Sequence, residues 1–147
     1  MRWYQRKVTR RDKRIACDIA ASFGINWVKF HDDKMYDYFD ISRNGSHVIG
    51  LSTERSRRWF YSALLHEINH SLCARERIFP AYHFIGRLAD LTDKQRLAIK
   101  RTALRAELYV DRRAEMMCHK LFHGLPYQRA YRCQEDRKSL QDYWRNR

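Results

Sequence analysis

With 147 residues, 44% of them apolar and 14% aromatic, the chain suits one domain with a modest core, spanning residues 1–147, and is too rich in core-forming side chains to be disordered. Its 30 Lys and Arg against 17 Asp and Glu leave a formal net charge of +13, which favours a polyanionic partner, nucleic acid first or an acidic protein. No apolar run is long enough to cross a bilayer, and the basic start from Met1 to Lys7 lacks the apolar segment of a secretory signal. Cys17, Cys73, Cys118 and Cys133 form no CxxC pair, which argues against a zinc ribbon or a disulfide framework. Together these features predict a cytoplasmic protein with reduced thiols and no membrane partner.

In chain order, residues 12–23 read as a helix, with Ile15, Ala16, Ile19 and Ala20 on one side and Gly24 as its stop. Residues 25–30, 35–41 and 48–52 read as three short strands rich in Ile, Val, Tyr and Phe. Asn44-Gly45 between the last two is a strong hairpin signal. A helix is predicted from Ser56, carrying Trp59, Phe60, Ala63, Leu64, Ile68 and Leu72. Residues 77–86, with Pro80, form a less regular crossing. Thr92 followed by Gln95 is a capping-box start, and the helix it opens runs through Leu97, Leu104, Leu108 and Met116 to a stop at Gly124-Leu125-Pro126. A final charged helix is expected over residues 127–144. The order of elements predicts an α+β fold, a small three-stranded sheet packed on two long helices.

The most informative stretch is His66-Glu67-Ile68-Asn69-His70. Two histidines four apart lie on one helix face, so both imidazoles can reach one metal ion. Glu67 points to the side of that pair, where a carboxylate can take a proton from a water on the metal. A third protein ligand is needed, and Glu107 is the leading candidate. It falls beside Ala103, Leu104 and Ala114 on a face the long helix must bury, and Asp111, four residues on, can accept the free N–H of a ligand histidine. Salt bridging to neighbouring arginines is the plainer explanation for both carboxylates. Glu76 lies ten residues after His66, the metzincin offset, but Cys73 stands where those proteins need glycine. The cysteine-containing motif that precedes HExxH in peptide deformylase is absent. His83, His119 and His123 stay open as ligands, without a spacing signature.

The HExxH helix after a three-stranded region, followed by a helix bearing Glu107-x-x-x-Asp111, resembles a minimal gluzincin metallopeptidase over roughly residues 10–123. It is most similar to the ImmA/IrrE-like group and more distantly to SprT-like proteases, whose third ligand is a histidine where this chain offers Glu107. The resemblance implies a zincin-like fold and Zn2+ held by His66, His70 and Glu107. It further implies Glu67 as general base, Asp111 as the group that orients a ligand histidine, and residues 48–52 as the strand that borders the cleft and pairs with an extended substrate. Such an enzyme needs a donor for the oxyanion, for which Tyr82 and His83 are the candidates; Tyr109, two positions from Glu107 on a helix, points elsewhere. The expected activity is that of a zinc endopeptidase acting on a protein or peptide near nucleic acid. The rival from another class is a non-catalytic, basic nucleic-acid-binding or regulatory protein on the same scaffold. Small size and high charge also suit a factor carried by a phage or mobile element.

Overall fold

The computed structural model describes residues 1–34, 36–83, 88–130, 138 and 140–142. Thr9 caps helix α1 (Arg10–Ser22) in a reciprocal box with Asp12, two residues earlier than the apolar periodicity predicts. Gly24, at φ 79°, ends the turn that follows, a left-handed conformation natural to glycine. The strands are β1 (Trp27–His31), β2 (Tyr38–Ile41) and β3 (His47–Ser52). Their order in the sheet is β1-β3-β2, with β1 parallel and β2 antiparallel to β3. The expected hairpin joins β2 to β3, where Gly45 at φ 83° donates its N–H to the Ser42 carbonyl at 2.9 Å. Ile25 is a buried residue ahead of β1 rather than part of it, and Met35 lies outside the described residues.

Side-chain alternation divides the sheet into two faces. Val28, Phe30, Ile49 and Leu51 turn towards the helices, where Phe30 stacks on Phe60 at 6.1 Å. Trp27 on the other face is 65% exposed. Helix α2 (Arg57–Glu76), capped by Ser56, crosses the inner face, and α3 (Asp93–Leu121) packs on α2. Being covered from both sides, α2 buries polar as well as apolar residues, among them Ser62, His66, Glu67, Asn69, His70 and Ser71. The N-terminal strap is fixed by the Arg57 N–H on the Arg6 carbonyl and by Asp12, which binds Arg57 Nε at 2.7 Å and the Tyr61 hydroxyl at 2.7 Å.

Helix α3 starts at the Thr92–Gln95 box and buries Ala103, Glu107 and Ala114 as predicted, with Leu104 half-buried beside them. Leu97 and Met116 are exposed, and the buried residues are Ile99, Ala103, Ala106, Glu107, Val110, Asp111, Ala114 and Cys118. Hydrophobicity alone ranks leucine and methionine inward; close approach of two helices selects the alanines. Beyond the expected stop at Gly124-Leu125-Pro126 the chain departs from expectation at residues 127–129, whereas residues 138 and 140–142 are helical as predicted. Residues 125–129 are irregular rather than helical and run back over α2 and α3, burying Leu125, Tyr127 and Gln128. Most of the remaining residues assigned to a final helix lie outside the described ones, as does Cys133. Among the described residues no helix is long and apolar enough to cross a membrane.

Candidate metal centre

His66 and His70 face α3 from adjacent turns of α2, and Glu107 meets them from the alanine-lined face of α3. The close contact of the two helices makes the three donors converge. His66 Nε2 lies 2.9 Å and His70 Nε2 3.2 Å from Glu107 Oε2, and the two ring nitrogens are 3.2 Å apart. All three side chains are buried, and together they form a group able to hold a metal ion. Donors spaced this closely are near the edge of about 3.3 Å that a tetrahedral site with bonds of 2.0–2.1 Å requires. Two imidazoles and a carboxylate also match the donor chemistry of zinc. The residues fit the ion that the sequence implies.

The second nitrogen of each imidazole is committed elsewhere. His66 Nδ1 lies 3.2 Å from Asp111 Oδ1 and, a carboxylate being an acceptor only, donates to it, which leaves Nε2 as the atom turned to the centre. Asp111 is itself held by the Tyr127 hydroxyl at 2.5 Å and the Ala130 N–H at 3.0 Å. On the other side, His83 Nδ1 lies 3.1 Å from the Ile78 carbonyl and must donate to it. Its Nε2 is therefore the acceptor for His70 Nδ1 at 2.8 Å. Phe39 of β2 stacks on the His70 ring at 6.4 Å. Each imidazole thus turns Nε2 to the centre, its Nδ1 being held by a partner of its own.

Burial and these contacts set the charges. Burial disfavours a charged His66, but the bonds to Asp111 and Glu107 outweigh it and hold the pKa well above the usual 6.5. Burial would raise the Glu107 carboxyl; His70 and His66 overcome that and hold it well below the ordinary value. Burial pushes Glu67 up to about 7, since His70 and His66 offset it only in part and the Glu107 and Asp37 charges add to it. Burial and the neighbouring His70 bring His83 down to about 4, so it is neutral at pH 7, as its acceptor role demands.

These groups open onto a cleft of about 480 Å³. One wall is β2, whose outer edge has no strand partner among the described residues, since only its other side bonds β3. Residues 48–52, expected to border the cleft and pair with substrate, cannot do so as β3 is the middle strand, bonded on both sides. Tyr82 reaches the centre and donates its hydroxyl to Glu107 Oε1, the oxygen not shared with the histidines. Of the two expected oxyanion donors, His83 stands behind His70 with both ring nitrogens engaged. Glu76 pairs with Arg113, and His119 and His123 are exposed, so none of the three joins the group. Tyr109 packs on Phe79 and Arg113, away from the centre.

Sequence reasoning missed Tyr127, the Ala130 N–H and the segment that carries them. Arg58 Nε on the Pro126 carbonyl at 2.8 Å and Ser62 Oγ on the Gln128 N–H at 2.9 Å hold that segment in place. Such contacts leave no periodic signal; Pro126, which cannot donate and restricts the residue before it, was the one hint of extended backbone. Set against known proteins, the chain matches no family model, no curated protein and no solved structure.

Proposed function

We propose that the protein is a zinc-dependent endopeptidase of the gluzincin type, as its resemblance to the ImmA/IrrE-like group implies. The observation that carries this reading is the convergence of His66 Nε2, His70 Nε2 and Glu107 Oε2, with Nδ1 of each ring bonded elsewhere so that Nε2 is the atom turned to the centre. Glu67 beside it on the cleft supplies the base. When bound, the metal supplies Lewis acidity and brings the pKa of water towards neutrality.

The chain's own residues do the rest. An extended peptide adds to the free edge of β2, which lays its carbonyl carbons along the cleft. Glu67, poised near pH 7, accepts the proton of the attacking water and returns it to the leaving amine. The Tyr82 hydroxyl, already at the rim of the centre on Glu107, is the donor for the charge that develops on the carbonyl oxygen.

The test is metal content by mass spectrometry together with cleavage of a denatured protein. Wild type should carry one zinc per chain, and His70→Ala and Glu107→Ala should lose it. Glu67→Gln should keep the metal while cleavage falls by several orders of magnitude. Wild type that carries no metal after zinc supplementation, or a Glu67→Gln variant that still cleaves, would sink the reading. The net charge of +13 favours the second reading, a basic nucleic-acid-binding or regulatory protein on the same scaffold.

A further inference from the structure

Helix α3 presents its alanine face with Glu107 and Asp111 to α2, and it carries a different pattern on its back. Lys94, Arg101, Arg105 and Arg112 are all exposed. At about 100° per residue they fall within a sector about 40° wide, one straight line of cations about 27 Å long. Their spacing is seven, four and seven residues. The helix's acidic residues are kept off this line. Glu107 and Asp111 are buried against the histidines, Glu115 pairs with Arg129, and Asp93 lies about a quarter turn away at the helix start.

The arginines that serve the fold behave differently. Arg55, Arg57, Arg113 and Arg129 each hold a carboxylate. Among the described residues Lys94, Arg101, Arg105 and Arg112 form no ion pair. Arg101 and Arg105 stand four apart, where like charges repel and destabilise a helix. Nothing in the packing requires this line, and Tyr109, 37% exposed, and Met116, 56% exposed, flank it with uncovered apolar surface.

We infer that the back of α3 is a docking surface for double-stranded DNA. A rigid line of cations about 27 Å long is complementary to a stiff polyanion whose phosphates run on for the same distance. A B-form major groove about 12 Å wide admits a helix and its side chains, whereas the A-form groove of duplex RNA is too deep and narrow to do so. Single strands are held by rows of stacking aromatics, and this face offers only Tyr109. The surface lies on the opposite side of α3 from Glu107, so DNA would seat without covering the cleft. This inference deepens the nucleic-acid side of the reading above and does not depend on the metal centre.

The experiment is fluorescence anisotropy of a 24-base-pair duplex of arbitrary sequence, titrated with the full chain at several salt concentrations. The Arg101→Gln, Arg105→Gln, Arg112→Gln triple variant is compared with Arg10→Gln, Arg11→Gln, Arg14→Gln, which removes equal charge from exposed positions on α1. The α3 variant should bind on the order of tenfold or more weakly, with a log–log salt slope smaller by about 3, one phosphate contact per arginine. The α1 variant should lose much less. Equal losses in both variants would mean bulk charge and overturn the inference. So would absence of duplex binding in wild type, tighter binding to a dT oligomer than to the duplex, or capture of poly-glutamate in place of DNA. Thermal unfolding checks that each variant is folded, and single substitutions at Arg101 and Arg112 replace the triple if it is not. Binding is read without metal or cleavage, so failure of the peptidase reading would leave this titration unchanged.

Discussion

A histidine binds a metal through one nitrogen only if something else decides where its proton goes, and here that decision is made by two unlike neighbours. Asp111 takes the His66 proton with a carboxylate; His83 takes that of His70 with a neutral imidazole anchored on a backbone carbonyl. His83→Ala should therefore weaken zinc binding by about 10- to 100-fold in a competition assay, while His83→Gln, whose amide oxygen can still accept, should retain more of the affinity. Equal losses in both would remove the hydrogen bond as the cause. The raised pKa of His66 gives a second expectation. Below that pKa its metal-free imidazole holds an extra proton, which must leave for Nε2 to bind. Zinc affinity should rise with pH until the folded pKa is passed, and at pH 7 binding should release about one proton. Calorimetry in two buffers of different ionisation enthalpy measures this directly.

At the scale of elements, the centre exists because α2 and α3 approach closely over small residues. The HExxH and ExxxD spacings were both legible in the sequence, since each depends only on helical period. The buried face of α3 was legible at Ala103, Glu107 and Ala114, but the exposure of Leu97 and Met116, which rank inward on hydrophobicity, was not. Ala106 is fully buried on that face, next to Glu107. Ala106→Leu should overpack the contact, destabilise the protein by about 1–3 kcal/mol in denaturant unfolding, and weaken zinc binding by moving Glu107 away. A variant that loses stability and keeps its zinc affinity would show that Glu107 is positioned from elsewhere. The hairpin between β2 and β3 was readable from Asn44-Gly45, but a parallel partner for β3 was not. That pairing turns β3 into the middle strand and hands the free edge to β2.

For the whole molecule, Asp12, which ties the N-terminal strap and α1 to α2, is one contributor to stability at low pH beside Glu107 and Asp111. Burial would raise its carboxyl, but the Tyr61 hydroxyl, the Thr9 N–H and the Arg57 guanidinium outweigh burial and hold it below the usual 3.8. A carboxyl lowered by folding stabilises fully above its unfolded pKa and ceases to do so as pH falls through the folded one. Wild type should lose stability progressively below about pH 4, and Asp12→Asn should be less stable at pH 7, by about 2 kcal/mol, with a flatter acid limb. Parallel acid limbs would place the sensitive group elsewhere. The sequence by itself determined the chemistry on offer: a helix bearing two histidines and a base, a second helix bearing two carboxylates, and a large excess of cations. These are local patterns, repeating within one or two turns of backbone. Only the tertiary structure decided that Glu107 and not Glu76 meets the histidines, that His83 stands behind His70, that Tyr127 returns to brace Asp111, and that α3 turns a line of exposed cations outwards. Each joins residues far apart in the chain, or turns on which face of a helix is covered, and such relations are set by packing, which no local spacing records.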